Sequence, residues 1–186
     1  MTILFYLGML LVCPSHAILS KHCQRKTEED CPDANKVMVS INRTYMFQSL
    51  ENIPTLECEY QSFYDFNNTR FALKPKYDKV PVTKNRGPLV NRFYVWNVVS
   101  STIHLSRRYD WQKEPTQLEI LYSDFESCMV TKGPQIEAFP YACRLWVTES
   151  AFAKPPLRCT EGFKRHCTST AFTYSMTGCV KLYKPH

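Results

Sequence analysis

Between Val37 and Thr148 apolar and polar residues alternate with a period of two, and the apolar positions are rich in aromatic and β-branched side chains. Such alternation marks half-buried strands, because successive side chains leave opposite faces of a strand. It predicts strands over Val37–Tyr45, Leu56–Phe66, Asn68–Lys74, Leu89–Val99, Thr102–Tyr109, Gln117–Tyr122, Cys128–Lys132 and Ala142–Thr148. Pro81, Arg86-Gly87-Pro88, Pro115, Gly133-Pro134 and Pro140 punctuate them. Short strands at fairly regular intervals fit an up-and-down barrel or a sandwich. A short helical turn is expected at Cys31–Lys36 and a helix at Leu157–Thr168, followed by an irregular tail to Cys179.

The phase of the first strand follows from a sequon. Asn42-Arg43-Thr44 and Asn67-Asn68-Thr69 are glycan acceptors in an exported chain, so Asn42 and Asn67 are expected to carry sugar and face solvent. With Asn42 outward, Val37, Val39, Ile41, Arg43, Tyr45 and Phe47 point in. In the next segment Leu56, Cys58, Tyr60, Tyr64 and Phe66 share one face, and Glu57, Glu59, Gln61 and Asp65 the other. Tyr94, Trp96 and Val98 share a face with Arg92, read as inward, and Arg144, Trp146 and Thr148 share a face of the last strand. An eight-stranded barrel either fills with such side chains or holds one small ligand, and the alternation leaves both open.

The compartment is read from the N-terminus. Ile3 to Val12 is apolar and uncharged but too short to span a bilayer, and Ser15-His16-Ala17 places small residues where a signal peptidase cuts. Residues 1–17 therefore read as a signal peptide and 18–186 as one secreted, extracellular domain without a membrane span. Of nine cysteines, Cys13 leaves with the leader, and an even set remains: Cys23, Cys31, Cys58, Cys128, Cys143, Cys159, Cys167 and Cys179. That is a disulfide framework, although eight cysteines admit about a hundred pairings. No CxxC pair is present, so no metal is expected. The net charge of +6 is scattered rather than striped, which argues against nucleic acid. No Gly-x-Ser-x-Gly, His-Glu-x-x-His or phosphate-cradling glycine loop occurs, and no histidine is flanked as a general base would be. The chain reads as a non-enzyme with no cofactor.

Leu121-Tyr122-Ser123-Asp124-Phe125-Glu126-Ser127-Cys128 resembles the strand end and cysteine of the tick salivary lipocalins, the histamine-binding group. Cys143-Arg144-Leu145-Trp146-Val147 resembles that family's Cys/Tyr-Glu-Leu-Trp strand, and Pro155-Pro156-Leu157-Arg158-Cys159, Cys167 and Cys179 follow in the family's order. Asp33-Ala34-Asn35-Lys36 and Glu57-Cys58 resemble upstream landmarks. The resemblance implies an all-β fold: an eight-stranded antiparallel up-and-down barrel, disulfide-stapled, with a C-terminal helix packed outside. It implies pairings Cys58–Cys179, Cys128–Cys159, Cys143–Cys167 and Cys23–Cys31. It also implies sequestration of a small host mediator, a lipid or a biogenic amine such as histamine or serotonin, or else a filled barrel that meets a host defence protein through its surface.

The departures from the family pattern bear on the ligand. Met129 and Arg144 stand where amine binders carry acids, and Asp33 is left as the expected pocket acid. A buried amine needs a nearby carboxylate, whereas guanidinium grips a carboxylate in a bidentate fork. Asp33, Arg43, Tyr94, Trp96, Arg144 and Trp146 are the expected ligand-lining residues, and an apolar or anionic lipid such as an eicosanoid is favoured over histamine.

Overall fold

The structure, a computed structural model, describes residues 27–66, 75–107, 115–134, 143–168 and 170–181. The leader, Cys23, Asn67 and the expected strand at Asn68–Lys74 lie outside the described residues. The chain opens with helix α1 (Ala34–Ser40). Strands β1 (Arg43–Ser49), β2 (Leu56–Tyr64), β3 (Lys76–Thr83), β4 (Gly87–Pro88), β5 (Asn91–Val99), β6 (Thr102–Ser106), β7 (Thr116–Ser123), β8 (Cys128–Lys132) and β9 (Cys143–Val147) follow. Helices α2 (Glu149–Phe152) and α3 (Leu157–His166), a two-residue strand β10 (Phe172–Thr173) and helix α4 (Thr177–Lys181) complete it.

Neighbouring strands pair antiparallel in chain order, with β3 passing to β5, and β9 returns to pair with β1. The eight longer strands thus form a closed antiparallel barrel, leaving β4 and β10 as short additions to β3 and β1. Closure removes the exposed edges that an open sheet would present. α1 covers one end: Ala34, Val37, Met38 and Ile41 are buried against Phe63, Phe93, Ile103, Leu118 and Trp146. The β1–β2 loop lies at the opposite end, the mouth.

Three expectations about the N-terminal half need correction. Val37–Ser40 is helix rather than strand. Ala34, Val37, Met38 and Ile41 recur at helical spacing, Asp33 caps the helix by accepting from Asn35 N at 2.9 Å, and Val39 stands exposed. The first strand also has the opposite phase: Thr44 and Met46 are its fully buried inner residues, while Arg43 lies over the Tyr60 and Tyr45 rings, 4.7 and 5.6 Å from their centroids, in the outer cluster. Asn42 is exposed, but it precedes the strand and so does not set its phase. A strand at Lys76–Thr83 was hidden by Pro81, which sits inside β3 opposite Glu59. The tail is also more ordered than expected, carrying β10 and α4.

On the outside, α3 lies along β7, β8 and β9. Its Cys159 bridges to Cys128, and Cys167 just beyond it bridges to Cys143; Cys179 of α4 bridges to Cys58 of β2. These are three of the pairings that the resemblance implies, and the Cys23 end of the fourth lies outside the described residues. Each bridge stabilises by about 2–4 kcal/mol, largely by restricting the unfolded chain. Gly162 meets the Tyr122 ring so closely that a Cβ there would fall 2.6 Å from a ring carbon. The Ser-Asp-Phe-Glu-Ser-Cys motif has a mechanical reading as well. The Asp124 carboxylate accepts from the backbone N–H groups of Glu126, Ser127 and Cys128 and from Arg158 Nε of α3 at 3.0 Å, joining the β7–β8 turn to the helix. Asp30 does similar work further upstream, receiving Arg165 at 2.7 Å and His166 at 2.9 Å. Burial would raise its pKa, but the hydrogen bonds from His166 and Thr27 and the Arg165 charge hold it below the usual value.

Candidate ligand-binding site

Alternation along β2 sends Cys58 and Tyr60 outward, where the bridge to α4 holds them, and therefore sends Glu59, Gln61 and Phe63 inward. β3 contributes Tyr77 and Lys79 to the interior, β8 Met129 and Thr131, and β9 Arg144 and Trp146. The deeper inward groups are satisfied. Tyr77 Oη donates to Gln61 Oε1 at 2.9 Å, Gln61 Nε2 donates to Thr44 Oγ1 at 3.1 Å, and Trp146 Nε1 donates to Thr131 Oγ1 at 2.8 Å.

Toward the mouth the interior becomes ionic. Lys79 Nζ lies 3.2 Å from Glu59 Oε1, Glu59 Oε2 lies 3.9 Å from Arg144 Nε, and Arg144 Nη2 donates to Glu51 Oε2 at 2.7 Å. Arg144 Nη1 also donates to Gly133 O at 3.3 Å. Four charges, two of each sign, thus form a chain across the barrel. The side chains of Lys79, Glu59 and Arg144 are between 2% and 7% exposed, whereas Glu51, on the β1–β2 loop, keeps 15%. Burial pushes the Lys79 ammonium below its ordinary pKa against the pull of Glu59, and pushes the Glu51 carboxyl up against the pull of Arg144. Burial also pushes the Tyr77 phenol up, with the Glu59 charge adding to it.

Within this quartet of charges two buried atoms lack a hydrogen-bond partner, Glu59 Oε2 and Arg144 Nε. They face one another across a gap too long for a hydrogen bond. Unsatisfied buried polar atoms cost free energy unless a further group reaches them. One is an acceptor and the other a donor, so a ligand head bearing oxygen or nitrogen could serve either.

The expected lining residues separate on inspection. Arg144 and Trp146 face inward and are at most 1% exposed. Asp33 is exposed at the start of α1, spent on its cap, and does not enter the barrel. Arg43 is on the outer face. Tyr94 and Trp96 also point outward, Trp96 at 50% exposure, because Phe93 and Val95 hold the inner face of β5. A register shift between Val95 and Asn97 then returns Val98 to the core side, so Tyr94, Trp96 and Val98 do not share a face. Glu51, Glu59 and Lys79 were missed. The signal for Glu59 was available: a Cys58 bridged to the tail outside must turn its neighbour inward. A separate groove of about 660 Å³ lies between the β2 and β3 ends and the tail, lined by Leu56, Val82, Lys84, Tyr174 and Gly178 among others, and none of the four inward charges borders it.

The profile of the tick histamine binding protein family matches residues 90–181, the stretch that carries β5 through α4. Over those residues the resemblance to that family is shown. No curated protein sequence matches it significantly. Among solved structures, the serotonin complex of AM182 is similar at 18% identity and a TM-score of 0.55, covering 83% of this chain and 97% of that one. Japanin from Rhipicephalus appendiculatus, bound to cholesterol, is similar at 13% identity and a TM-score of 0.50, covering 71% and 90%. Insecticyanin from the tobacco hornworm Manduca sexta shares 8% identity at a TM-score of 0.57, covering 82% and 88%. At such identities the likeness is one of fold, and the fold is the lipocalin barrel. Among the described residues of this lipocalin, no helix is long and apolar enough to cross a membrane.

Proposed function

We propose that this lipocalin is a secreted scavenger that takes a small host mediator into its barrel, with a mostly apolar body and one polar head, and that lipids are favoured over biogenic amines. The observation that supports this most is the pair of buried atoms on Glu59 and Arg144 that face one another without a hydrogen bond, while the groups deeper in the barrel are satisfied. A barrel built only to be filled gains nothing from four desolvated charges, since well-packed apolar side chains of similar volume are usually at least as stable. Neighbours in fold hold serotonin in one case and cholesterol in the other, so the chemistry of the interior, not the barrel, decides what enters. Here that interior is charge-balanced, which disfavours a cation brought in alone. Calorimetric titration of the glycosylated protein with arachidonate, cholesterol, serotonin and histamine tests the reading. Binding of a lipid with lower Kd than either amine supports it. Tight histamine binding with no lipid uptake sinks the lipid preference, and silence from all four probes would count against capture of these ligand classes.

A further inference from the structure

Three of the four inward charges are carried by barrel strands: Glu59 on β2, Lys79 on β3 and Arg144 on β9, each locked in a paired register. Only Glu51 belongs to a loop. The backbone of that loop is anchored, with Leu50 N donating to Cys143 O, Ile53 N to Tyr174 Oη, and Tyr174 Oη to Glu51 O. The Glu51 side chain is therefore held in place by a fixed backbone but reaches the barrel by its own rotatable bonds, at the rim, as the most exposed member of the quartet.

We propose that Glu51 holds on Arg144 the place of a ligand carboxylate, and that the barrel takes an amphiphilic monocarboxylate by exchanging one acid for the other. The inference rests on the capture reading above and names the head group. Charge conservation carries it. A carboxylate added to two anions and two cations leaves the cluster with an uncompensated buried negative charge, and the release of Glu51 to water restores the balance. An ammonium would require a cation to leave, and both cations are on strands. The barrel can thus shed a negative charge but not a positive one. The guanidinium offers the incoming acid a planar fork, including the Nε that makes no hydrogen bond to the protein.

The test compares ligands with one tail and different heads, arachidonate and arachidonyl alcohol, on the full secreted protein and on Glu51→Gln and Arg144→Met. The wild type is expected to prefer the acid. Glu51→Gln, which removes the competing charge while keeping the shape, is expected to tighten arachidonate about tenfold and to leave the alcohol within about twofold. Arg144→Met is expected to abolish the preference for the acid. A Glu51→Gln effect that is equal for both ligands, or a weakening of the acid, overturns the exchange while leaving capture intact. If the wild type binds neither ligand, capture of such lipids fails and the exchange falls with it. Arachidonate labelled with carbon-13 at its carboxyl needs no variant. Bound to the wild type, the carboxyl should stay ionised to lower pH than it does free in buffer, and a bound carboxyl that titrates unchanged contradicts a contact with Arg144.

Discussion

β8 and β9 present two faces that are equally buried and chemically unlike. The outer face is apolar at Cys128, Val130, Leu145 and Val147, which lie beneath α3, and two disulfides fasten it there. The inner face, Met129, Thr131, Arg144 and Trp146, mixes apolar bulk with a hydrogen-bonded hydroxyl and a paired guanidinium. Stability comes cheaply on the outside, where desolvation meets no polar group. On the inside it is conditional, because Arg144 is tolerable only while Glu51 and Glu59 neutralise it. Burial alone therefore says little about purpose; what distinguishes the two faces is whether the buried groups require partners.

That contrast is open to direct attack. The largest effect is expected from Arg144→Met, which strands the Glu51 carboxylate, leaves Glu59 with Lys79 alone, and should cost about 3–5 kcal/mol in urea denaturation. The double variant Arg144→Met with Glu51→Gln should recover part of this loss, and a strictly additive double variant would show that the two side chains are not coupled. On the outer face Leu145→Ala should cost about 2–4 kcal/mol through the void it leaves under α3, with ligand affinity unchanged. A shift in affinity as large as that of Arg144→Met would erase the functional distinction between the faces. A third measurement uses pH. Burial, opposed by Arg144, holds the Glu51 carboxyl above its ordinary value of 4.5. The native state then binds this proton more tightly than the unfolded chain, so the contribution of Glu51 to stability improves as pH falls from its raised native value toward 4.5 and worsens as pH rises through that window. Glu51→Gln should remove this component of the pH dependence, and identical pH profiles for the two proteins would show that the carboxyl is not desolvated. The smallest effect is expected from Asp33→Ala, a lost helix cap worth about 1 kcal/mol with no change in ligand affinity. An affinity loss would return Asp33 to the pocket.

Much of the architecture was legible in the sequence because its landmarks are local: the Ser-Asp-Phe step before Cys128, the Arg-Leu-Trp strand, and the cysteine order. Arg144 and Trp146 were legible for the same reason. The N-terminal half was harder to read because its patterns are degenerate. Val37 and Ile41 fit a helix stripe and a strand face equally well, and only the Asp33 cap with Ala34 and Met38 distinguishes them. In β5 the irregularity between Val95 and Asn97 breaks the alternation without a glycine to announce it. In β2 both faces are buried, so Glu59 and Gln61 were visible as one face but not recognisable as the inner one. Glu51 could not be found by periodicity at all, since a loop residue reaches the barrel by topology alone.

The close approach of Gly162 to the Tyr122 ring has a further consequence. A helix standing off by the length of a methyl group could slide along the wall, but this one sits flush, clamped at Cys159 and stopped by an aromatic plate. Even alanine at position 162 would have to lever α3 outward against the Cys128–Cys159 bridge, or turn the Tyr122 ring out of its seat. The wall that carries Arg144 and Trp146 on its other side is thus braced from behind. Strain introduced at this outer contact would enter the wall at β7 and, through the Cys128–Cys159 bridge, at β8, which pairs with the strand that carries Arg144, so the tolerance of the site is set partly by a residue that has no side chain.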